Sequence, residues 1–302
     1  MGTALIVISV IAAILAAAFC VLLFKYIHVS NIERSGSTVD SITGLANRDS
    51  FLKHGATVLL NNQSSNISLV VIDINDLGKI NTLYGADVGD SVVVGFADTI
   101  SELSGTDNLC ARVNSNNFAI LLIDCDEKTA RAFLSDLEYA LHQKFMETSV
   151  LEQMEYCAGI SVYDGHDDIQ TLFNKANLSI IMNDGAHISV FDPSMETRMA
   201  ENEFLRTEML TALDEGQFEL YYQPKISFKT GDIMGLEALI RWHHPAKGFV
   251  SPGAFIPLAE QTGIITRIDE WGLRTAARQC KQWQEQGLPP VKVSVNMSQA
   301  QF

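Results

Sequence analysis

Two blocks of alternating strand and helix patterns, separated by one charged segment, constrain the fold of this chain more than any other feature. In the first block, residues 40–192, the β-branched run ISLVVIDI at 67–74 is typical of a buried strand. Helical spacing follows at 90–103, 127–145 and 169–182. We therefore predict an α+β sandwich with a mostly antiparallel sheet for the first block.

A hairpin is predicted at residues 112–122, RVNSNNFAILL, where small polar residues interrupt two apolar runs. Asn and Ser tolerate the backbone angles of a tight turn. The tip and the residue after it are Asn114, Ser115, Asn116, Asn117 and Phe118. The carboxylate-rich stretch before the hairpin raises the question of whether this tip was once part of a reactive site.

The second block follows a predicted linker helix at residues 193–216 and extends over residues 217–302. Strand patterns and helix patterns are expected at 218–223, 234–242, 252–262, 268–286 and 291–296, in the order strand, strand, helix, helix, strand. In two of these strands, polar residues alternate with apolar ones. Glu237 and Arg241 share one face of the first, and Asn296 falls on the polar face of the other. Gln223 also lies near a strand end, so we expect these polar side chains to converge.

Residues 4–24 contain no charged residue and are long enough to cross a bilayer as a helix. A cleaved signal peptide is the alternative, but no basic residue precedes the segment. A lipoprotein site at Cys20 is a further alternative. Lys25 and Arg34 follow the segment, so the positive-inside rule predicts a single-pass inner-membrane protein whose later domains are cytoplasmic. Residues 25–39 would form a short linker.

The formal net charge of −15 disfavours general nucleic-acid binding, which depends on a basic surface that neutralises phosphates. It does not exclude a small nucleotide held in a local pocket with metal ions. The five cysteines show no metal-ligand spacing, which fits a reduced compartment.

The first block resembles the GGDEF domain family, whose members join two GTP molecules into cyclic di-GMP. Three motifs carry the resemblance: DSITGLANR at 40–48, DINDLGKINTLYGADVGD at 73–90 and the hairpin. The resemblance implies a cyclase-like α+β domain over residues 40–192. It also implies that Asp73 matches a metal-binding residue and that Asn81 and Asp90 match residues that contact guanine.

The hairpin departs from the Gly-Gly-Asp/Glu-Glu-Phe pattern of that family, because only Phe118 is retained. Gly78 and Asp184 replace lysines of the family pattern, and GTDN at 105–108 lacks the RxxD pattern of its product-inhibition site. We expect no diguanylate cyclase activity. A scaffold without ligand and a regulatory domain that retains GTP binding both remain open.

The second block resembles the EAL domain family, which cleaves cyclic di-GMP to linear pGpG in a modified (β/α)8 barrel. The motifs are FELYYQPKI at 218–226, GLEALIRWHHP at 235–245, FIPLAEQTGII at 255–265 and VKVSVNMS at 291–298. The resemblance implies that Glu237 and Asn296 bind Mg²⁺ or Mn²⁺, that Arg241 contacts a substrate phosphate and that Gln223 lines the pocket.

Three of the eight barrel strands fall within residues 217–302. We therefore expect a truncated barrel, a fragment of a longer protein that is inactive by itself. The expected function of the parent is metal-dependent hydrolysis of cyclic di-GMP. The alternative is a non-catalytic module that binds cyclic di-GMP or a protein, and the resemblance is compatible with a homodimer.

Overall fold

The computed structural model describes residues 38–62, 66–148, 150, 154–183 and 185–299. These residues form two compact units, divided between Asp192 and Pro193. The expected membrane segment at 4–24, most of the linker at 25–39 and Asp184 lie outside the described residues. Within the described ranges, no helix combines the length and apolar character that a bilayer crossing requires.

The first unit is built on a six-stranded sheet in the order β1-β3-β4-β2-β5-β6. Pairings among β3, β4, β2 and β5 are antiparallel, and the two outermost pairings are parallel, which confirms the mostly antiparallel sheet. The strands are β1 (Ala46–Asn47), β2 (Ile67–Ile74), β3 (Leu109–Arg112), β4 (Asn117–Ile123), β5 (Tyr156–Val162) and β6 (Ile188–Val190). The helices are α1 (Arg48–Asn61), α2 (Leu77–Tyr84), α3 (Ala86–Ser104), α4 (Glu127–Phe145) and α5 (Ile169–Ile181).

The central strand β2 packs on both faces, which explains why its sequence is apolar without alternation. Val70 and Ile72 belong to a core that includes side chains of α3 and α4. Leu69 and Val71 belong to a second core that includes side chains of α1 and α5. The sheet therefore lies between two helical layers, and Asp73, one residue before the end of β2, is only partly buried.

Helix α2 is the largest departure from the predicted elements of this unit. The pattern predicts one helix from residue 90, whereas the structure has α2 followed directly by α3, which begins at Ala86. Gly85 separates the two helices with φ of +95°, a conformation that L side chains rarely adopt. Only Ile80 of α2 is fully buried, so this short helix carries almost no apolar periodicity.

The second unit contains a four-stranded sheet in which β8 pairs with β7, β9 and β10. The pairing of β8 with β10 is parallel, whereas those with β7 and β9 are antiparallel. Its elements are α6 (Ser194–Ala212), β7 (Phe218–Ile226), β8 (Ile233–His244), β9 (Gly248–Val250), α7 (Pro252–Gln261), α8 (Ile265–Glu285) and β10 (Val293–Val295). The path β8-α7-α8-β10 supplies the helical connection that two parallel strands require.

Helix α6, which the sequence predicts to be a linker, packs its apolar residues into the core of this second unit. Leu205 and Met209 are buried together with Phe218, Trp242 and Phe255. The description of residues 193–216 as a connector is therefore incomplete, because the same helix is a structural part of the second unit.

Candidate functional site

The β3–β4 hairpin tip is closed by side-chain hydrogen bonds. Asn114 Oδ1 accepts from the backbone N–H groups of Asn116, at 3.2 Å, and Asn117, at 3.0 Å, which is an Asx turn. The prediction that the tip needs special backbone angles is wrong. Of the described non-glycine residues, only Asp76 and Asp124 have positive φ. The local fold of the tip therefore depends on the side chain of Asn114.

Asp73 and Asn116 form the closest polar contact at this end of β2. Asn116 Nδ2 donates to Asp73 Oδ1 at 2.5 Å and to the carbonyl oxygen of Ile74 at 3.2 Å. Burial raises the pKa of Asp73 above its usual value, and a hydrogen bond with the Asn117 side chain offsets part of that rise. An amide donor thus meets the carboxylate at the position where the family pattern predicts a second acidic group.

Asn81 and Asp90, the predicted guanine contacts, both have exposed side chains, on α2 and α3 respectively. The carboxamide of Asn81 lies directly over Gly89, where an added Cβ would come within 1.7 Å of Asn81 Oδ1. The structure therefore brings Asn81 next to the turn of α3 that carries Asp90. Gly89 has no side chain, so the carboxamide of Asn81 can approach α3 closely. Asn81 and Asp90 therefore lie close to one another.

Asp40 is a partly buried residue of the first unit to which the sequence analysis assigns no role. Its Oδ1 accepts from the backbone N–H of Thr43 at 2.9 Å and from Arg112 Nη1 at 3.2 Å. Arg112 also donates to the carbonyl oxygen of Ser115 at 2.6 Å. Arg112 therefore links the segment 40–48 to the hairpin, so two of the three family motifs are in contact.

In the second unit, the strand register brings three predicted positions into one row. Glu237 pairs with Gln223 of β7 on one side and with Ser294 of β10 on the other. Asn296 follows β10 directly. Gln223 lies three residues before the end of β7, because the strand continues to Ile226 and not only to residue 223 as the pattern predicts. The structure thus brings Gln223 and Asn296 beside Glu237. The neighbouring residue Ala238, on the opposite face, is buried, as is Trp242.

Both oxygens of Glu237 have partners. Asn296 Nδ2 donates to Oε1 at 3.0 Å, and Lys225 Nζ lies 3.2 Å from Oε2. Lys225 also donates to Ser294 Oγ at 2.8 Å. The hydrogen bond from Asn296, followed by the hydrogen bond and positive charge of Lys225, lowers the pKa of Glu237. Lys225 was missed in the sequence, although its place two residues after Gln223 puts it on the same strand face.

The donor set around Glu237 fits part of a divalent cation site. A carboxylate and a carboxamide oxygen are the hard ligands that Mg²⁺ and Mn²⁺ prefer. Glu237 and Asn296 are in direct contact, so both could reach one ion. Within the described ranges, no group of three or more His, Cys, Asp or Glu residues could hold a metal. These two residues could therefore supply only part of a coordination sphere.

Arg241 and His244, near the end of β8, have different surroundings. The guanidinium carbon of Arg241 lies 5.5 Å from the centre of the Tyr221 ring, and its Nη1 donates to the carbonyl oxygen of Ile240 at 2.8 Å. His244 is buried and structural. Its Nδ1 accepts from the N–H groups of Ala246 and Lys247 at 3.0 Å each, so its Nε2 carries the proton and faces Glu208 at 3.3 Å. Arg241 and Asn296 also line one pocket of about 320 Å³.

Comparisons with known proteins agree with both resemblances. The model of the family described as diguanylate cyclase, GGDEF domain, matches residues 37–182, and the EAL domain model matches residues 206–302. The second match begins within α6, in agreement with the packing of that helix.

Curated relatives share both regions. The chain is 31% identical to the bifunctional diguanylate cyclase/cyclic di-GMP phosphodiesterase MucR of Pseudomonas aeruginosa, over 78% of this chain and 35% of MucR. It is 29% identical to the cyclic di-GMP phosphodiesterase PdeR of Escherichia coli, over 87% of this chain and 40% of PdeR. The chain thus spans less than half the length of these relatives.

A solved structure of LapD from Vibrio cholerae, comprising an S helix, a GGDEF domain and an EAL domain bound to c-di-GMP, shows the same fold. The TM-score is 0.53 at 15% identity, over 92% of this chain and 66% of that one. With both family models matched and this architecture shared, the chain belongs to the proteins that join a GGDEF domain to EAL-domain sequence.

Proposed function

We propose that the protein carrying this sequence hydrolyses cyclic di-GMP to linear pGpG at its EAL domain. The observation that carries the proposal is the row formed by Gln223, Glu237 and Ser294, with Asn296 bonded to Glu237 at 3.0 Å. Buried apolar residues lie on the opposite face. This arrangement presents a carboxylate and two amides on one polar face, as a phosphodiester site with a metal requires. The names of MucR and PdeR support the same reaction.

In this proposal, Glu237 and Asn296 hold Mg²⁺ or Mn²⁺ in the complete EAL domain. When bound, such an ion activates water and offsets phosphate charge. Asn296 can turn its carbonyl oxygen outward, because its contact with Glu237 uses Nδ2. Arg241, held by its carbonyl contact and its stacking on Tyr221, offers a guanidinium to a substrate phosphate. Gln223, which pairs with Glu237 across β7 and β8, orients the dinucleotide.

We further propose that the GGDEF domain has lost cyclase activity and regulates the EAL domain. The contact of Asn116 with Asp73 supports this, because a neutral amide stands where the family pattern has an acidic residue. A cation that binds a triphosphate needs that negative charge. Binding of GTP through Asp73, Asn81 and Asp90 is the regulatory input that we propose. The apolar segment at 4–24 would anchor both domains at the cytoplasmic side of the inner membrane.

The test is turnover of cyclic di-GMP, with Mn²⁺, by the purified full-length parent protein that contains a complete EAL domain, compared with two variants. Glu237→Gln keeps the size of the side chain and should abolish pGpG formation. Glu270→Gln is the matched control, because Glu270 is an exposed residue of α8 that pairs with Arg274. Equal activity in wild type and Glu237→Gln would refute the assigned site. Calorimetric titration with GTP tests the regulatory proposal, and an absence of heat together with unchanged turnover would refute it.

A second candidate function is a non-catalytic receptor for cyclic di-GMP. The contact of Lys225 with Glu237 favours it, because an ammonium group already balances the carboxylate that should bind metal. The LapD structure bound to c-di-GMP supplies a precedent for binding in this architecture. Saturable binding of cyclic di-GMP without pGpG formation, with or without Mn²⁺, would favour this receptor over the enzyme.

A further inference from the structure

The segment that follows β10 is held against α7 and α8 by hydrogen bonds to two carboxylates. Asp269 Oδ2 accepts from the backbone N–H of Ser298 at 2.8 Å, and Glu260 Oε1 accepts from Ser298 Oγ at 2.8 Å. Asp269 is only 7% exposed, although it is an acidic residue. A buried carboxylate lowers stability unless hydrogen bonds satisfy it. The burial of Asp269 against Ser298 therefore calls for an explanation.

The position of the fastened residue supplies the explanation. The ladder between β10 and β8 ends at the pairing of Val295 with Ala238. Asn296 is the next residue, so strand pairing holds the chain only on its N-terminal side. Ser298, two residues later, holds it on the other side through α7 and α8. Asn296, whose side chain contacts Glu237, therefore lies between two points at which the chain is held.

The pocket beside this segment contains the same groups. Asp269 and Glu260 line the pocket of about 320 Å³ that Arg241 and Asn296 also line. The two carboxylates are partnered by Ser298 and do not contact Glu237 through any hydrogen bond described for them. Their influence on the reacting centre would therefore pass through the backbone of residues 296–298.

We propose that Asp269 and Glu260 are positioning residues that fix Asn296 against Glu237 through Ser298. This inference rests on the proposed phosphodiesterase function, since it concerns how a ligand of that site is oriented. Partners of metal ligands of this kind are commonly worth a factor of about 10 to 100 in metal affinity. Neither residue is assigned a catalytic role, because neither touches the predicted ligands of the ion.

Four variants separate this role from a general contribution to folding. Asp269→Leu removes the acceptor at similar volume, whereas Asp269→Asn keeps a carbonyl oxygen that can accept from the N–H of Ser298. Ser298→Ala removes the bond to Glu260 and keeps the one to Asp269. Glu270→Gln, next to Asp269 on α8 but exposed and paired with Arg274, is the matched control. Thermal melting identifies any variant that fails to fold, and Ser298→Ala is the milder test in that event.

The first readout is Mn²⁺ affinity, measured by electron paramagnetic resonance on the purified protein. We expect Asp269→Leu to weaken binding about tenfold and to lower kcat more than it raises KM, while Asp269→Asn stays within about twofold of wild type. Unchanged Mn²⁺ affinity in a folded Asp269→Leu protein would overturn the proposal.

The second readout requires neither metal nor turnover. The side-chain amide resonances of Asn296 in a ¹⁵N-labelled protein report its hydrogen bond to Glu237. They should shift or broaden in Asp269→Leu and stay unchanged in Glu270→Gln. If the backbone N–H of Ser298 moves and the Asn296 side chain does not, the positioning role is refuted. A wild-type protein with an ordered Asn296 amide but no turnover would instead refute the proposed function alone.

Discussion

Replacing Asn116 with Asp tests whether the degenerate cyclase site is held together by an amide where its family places a cation. The substitution removes the donor that lies 2.5 Å from Asp73 Oδ1 and puts a second carboxylate in its place. Two unit charges about 4 Å apart repel by about 4 kcal/mol at the effective dielectric constant of a protein surface. The lost hydrogen bond to a charged group is worth about 1.5–3 kcal/mol.

These two costs are not fully additive, because the side chains can move apart or share a proton. Keeping one carboxyl protonated at pH 7 costs about 4 kcal/mol from its usual pKa, which limits the total. We therefore expect Asn116→Asp to lower the free energy of unfolding of the GGDEF domain by about 2–4 kcal/mol at pH 7. Asn116→Ala, which loses the hydrogen bond without adding charge, should lose less than Asn116→Asp, about 1.5–3 kcal/mol.

The assay is urea unfolding at several pH values, with and without Mn²⁺. The carboxylate pair has a raised pKa in the folded state, so the variant regains stability as the pH falls toward the usual carboxyl range and loses it as the pH rises. Mn²⁺ that bridges the pair would restore about 2.7 kcal/mol at a concentration 100-fold above its Kd. Equal stability of Asn116→Asp and Asn116→Ala in metal-free buffer at pH 7 would refute the reasoning.

Three further predictions concern other parts of the two domains. Burial by itself would raise the pKa of Asp40, but hydrogen bonds from Thr43 and Arg112 lower it overall. Asp40→Asn should therefore cost about 1–3 kcal/mol at pH 7. The difference from wild type should shrink in urea melts as the pH falls below about 3.9, where the unfolded chain takes up the proton first, and should vanish below the lowered pKa of the folded state. Trp242 is fully buried, so Trp242→Ala should destabilise the EAL unit by about 3–5 kcal/mol, and a loss below about 1 kcal/mol would contradict its place in that core. Lys225→Met removes an ammonium group that competes for Glu237, so Mn²⁺ should bind several-fold more tightly in a titration; weaker binding would show that Lys225 orients the carboxylate instead.

Strong periodicity made much of the fold predictable. The buried run of β2 and the helix at 127–145 have the predicted bounds, because both carry dense apolar patterns. Helix α2 could not be predicted from periodicity, because Ile80 is the only residue that it buries. The helix depends instead on Gly85, which ends it, and on its packing beside α3. The role of α6 was underestimated for a related reason. Its charged residues dominate the pattern, whereas three buried positions decide its packing.

The candidate site was predictable where it depends on strand alternation and unpredictable where it depends on contacts distant in sequence. The alternation placed Glu237 and Arg241 on one face, and the structure agrees. The contact of Asn116 with Asp73 joins residues 43 positions apart, and the amide could equally have pointed to solvent. Likewise, no local pattern marks Asp269 as the partner of Ser298, which lies 29 positions later. Such contacts follow from strand register and helix packing, which a single sequence specifies only indirectly.

We propose above that the polar face carrying Glu237 and Asn296 is a phosphodiesterase site. The most direct measurement is the rate of pGpG formation from cyclic di-GMP by the protein carrying this sequence, with Mn²⁺ and without divalent ions. We expect metal-dependent turnover that Glu237→Gln abolishes and Glu270→Gln leaves unchanged. Tight binding of cyclic di-GMP with no product under any metal condition would contradict it and leave a receptor in place of the enzyme.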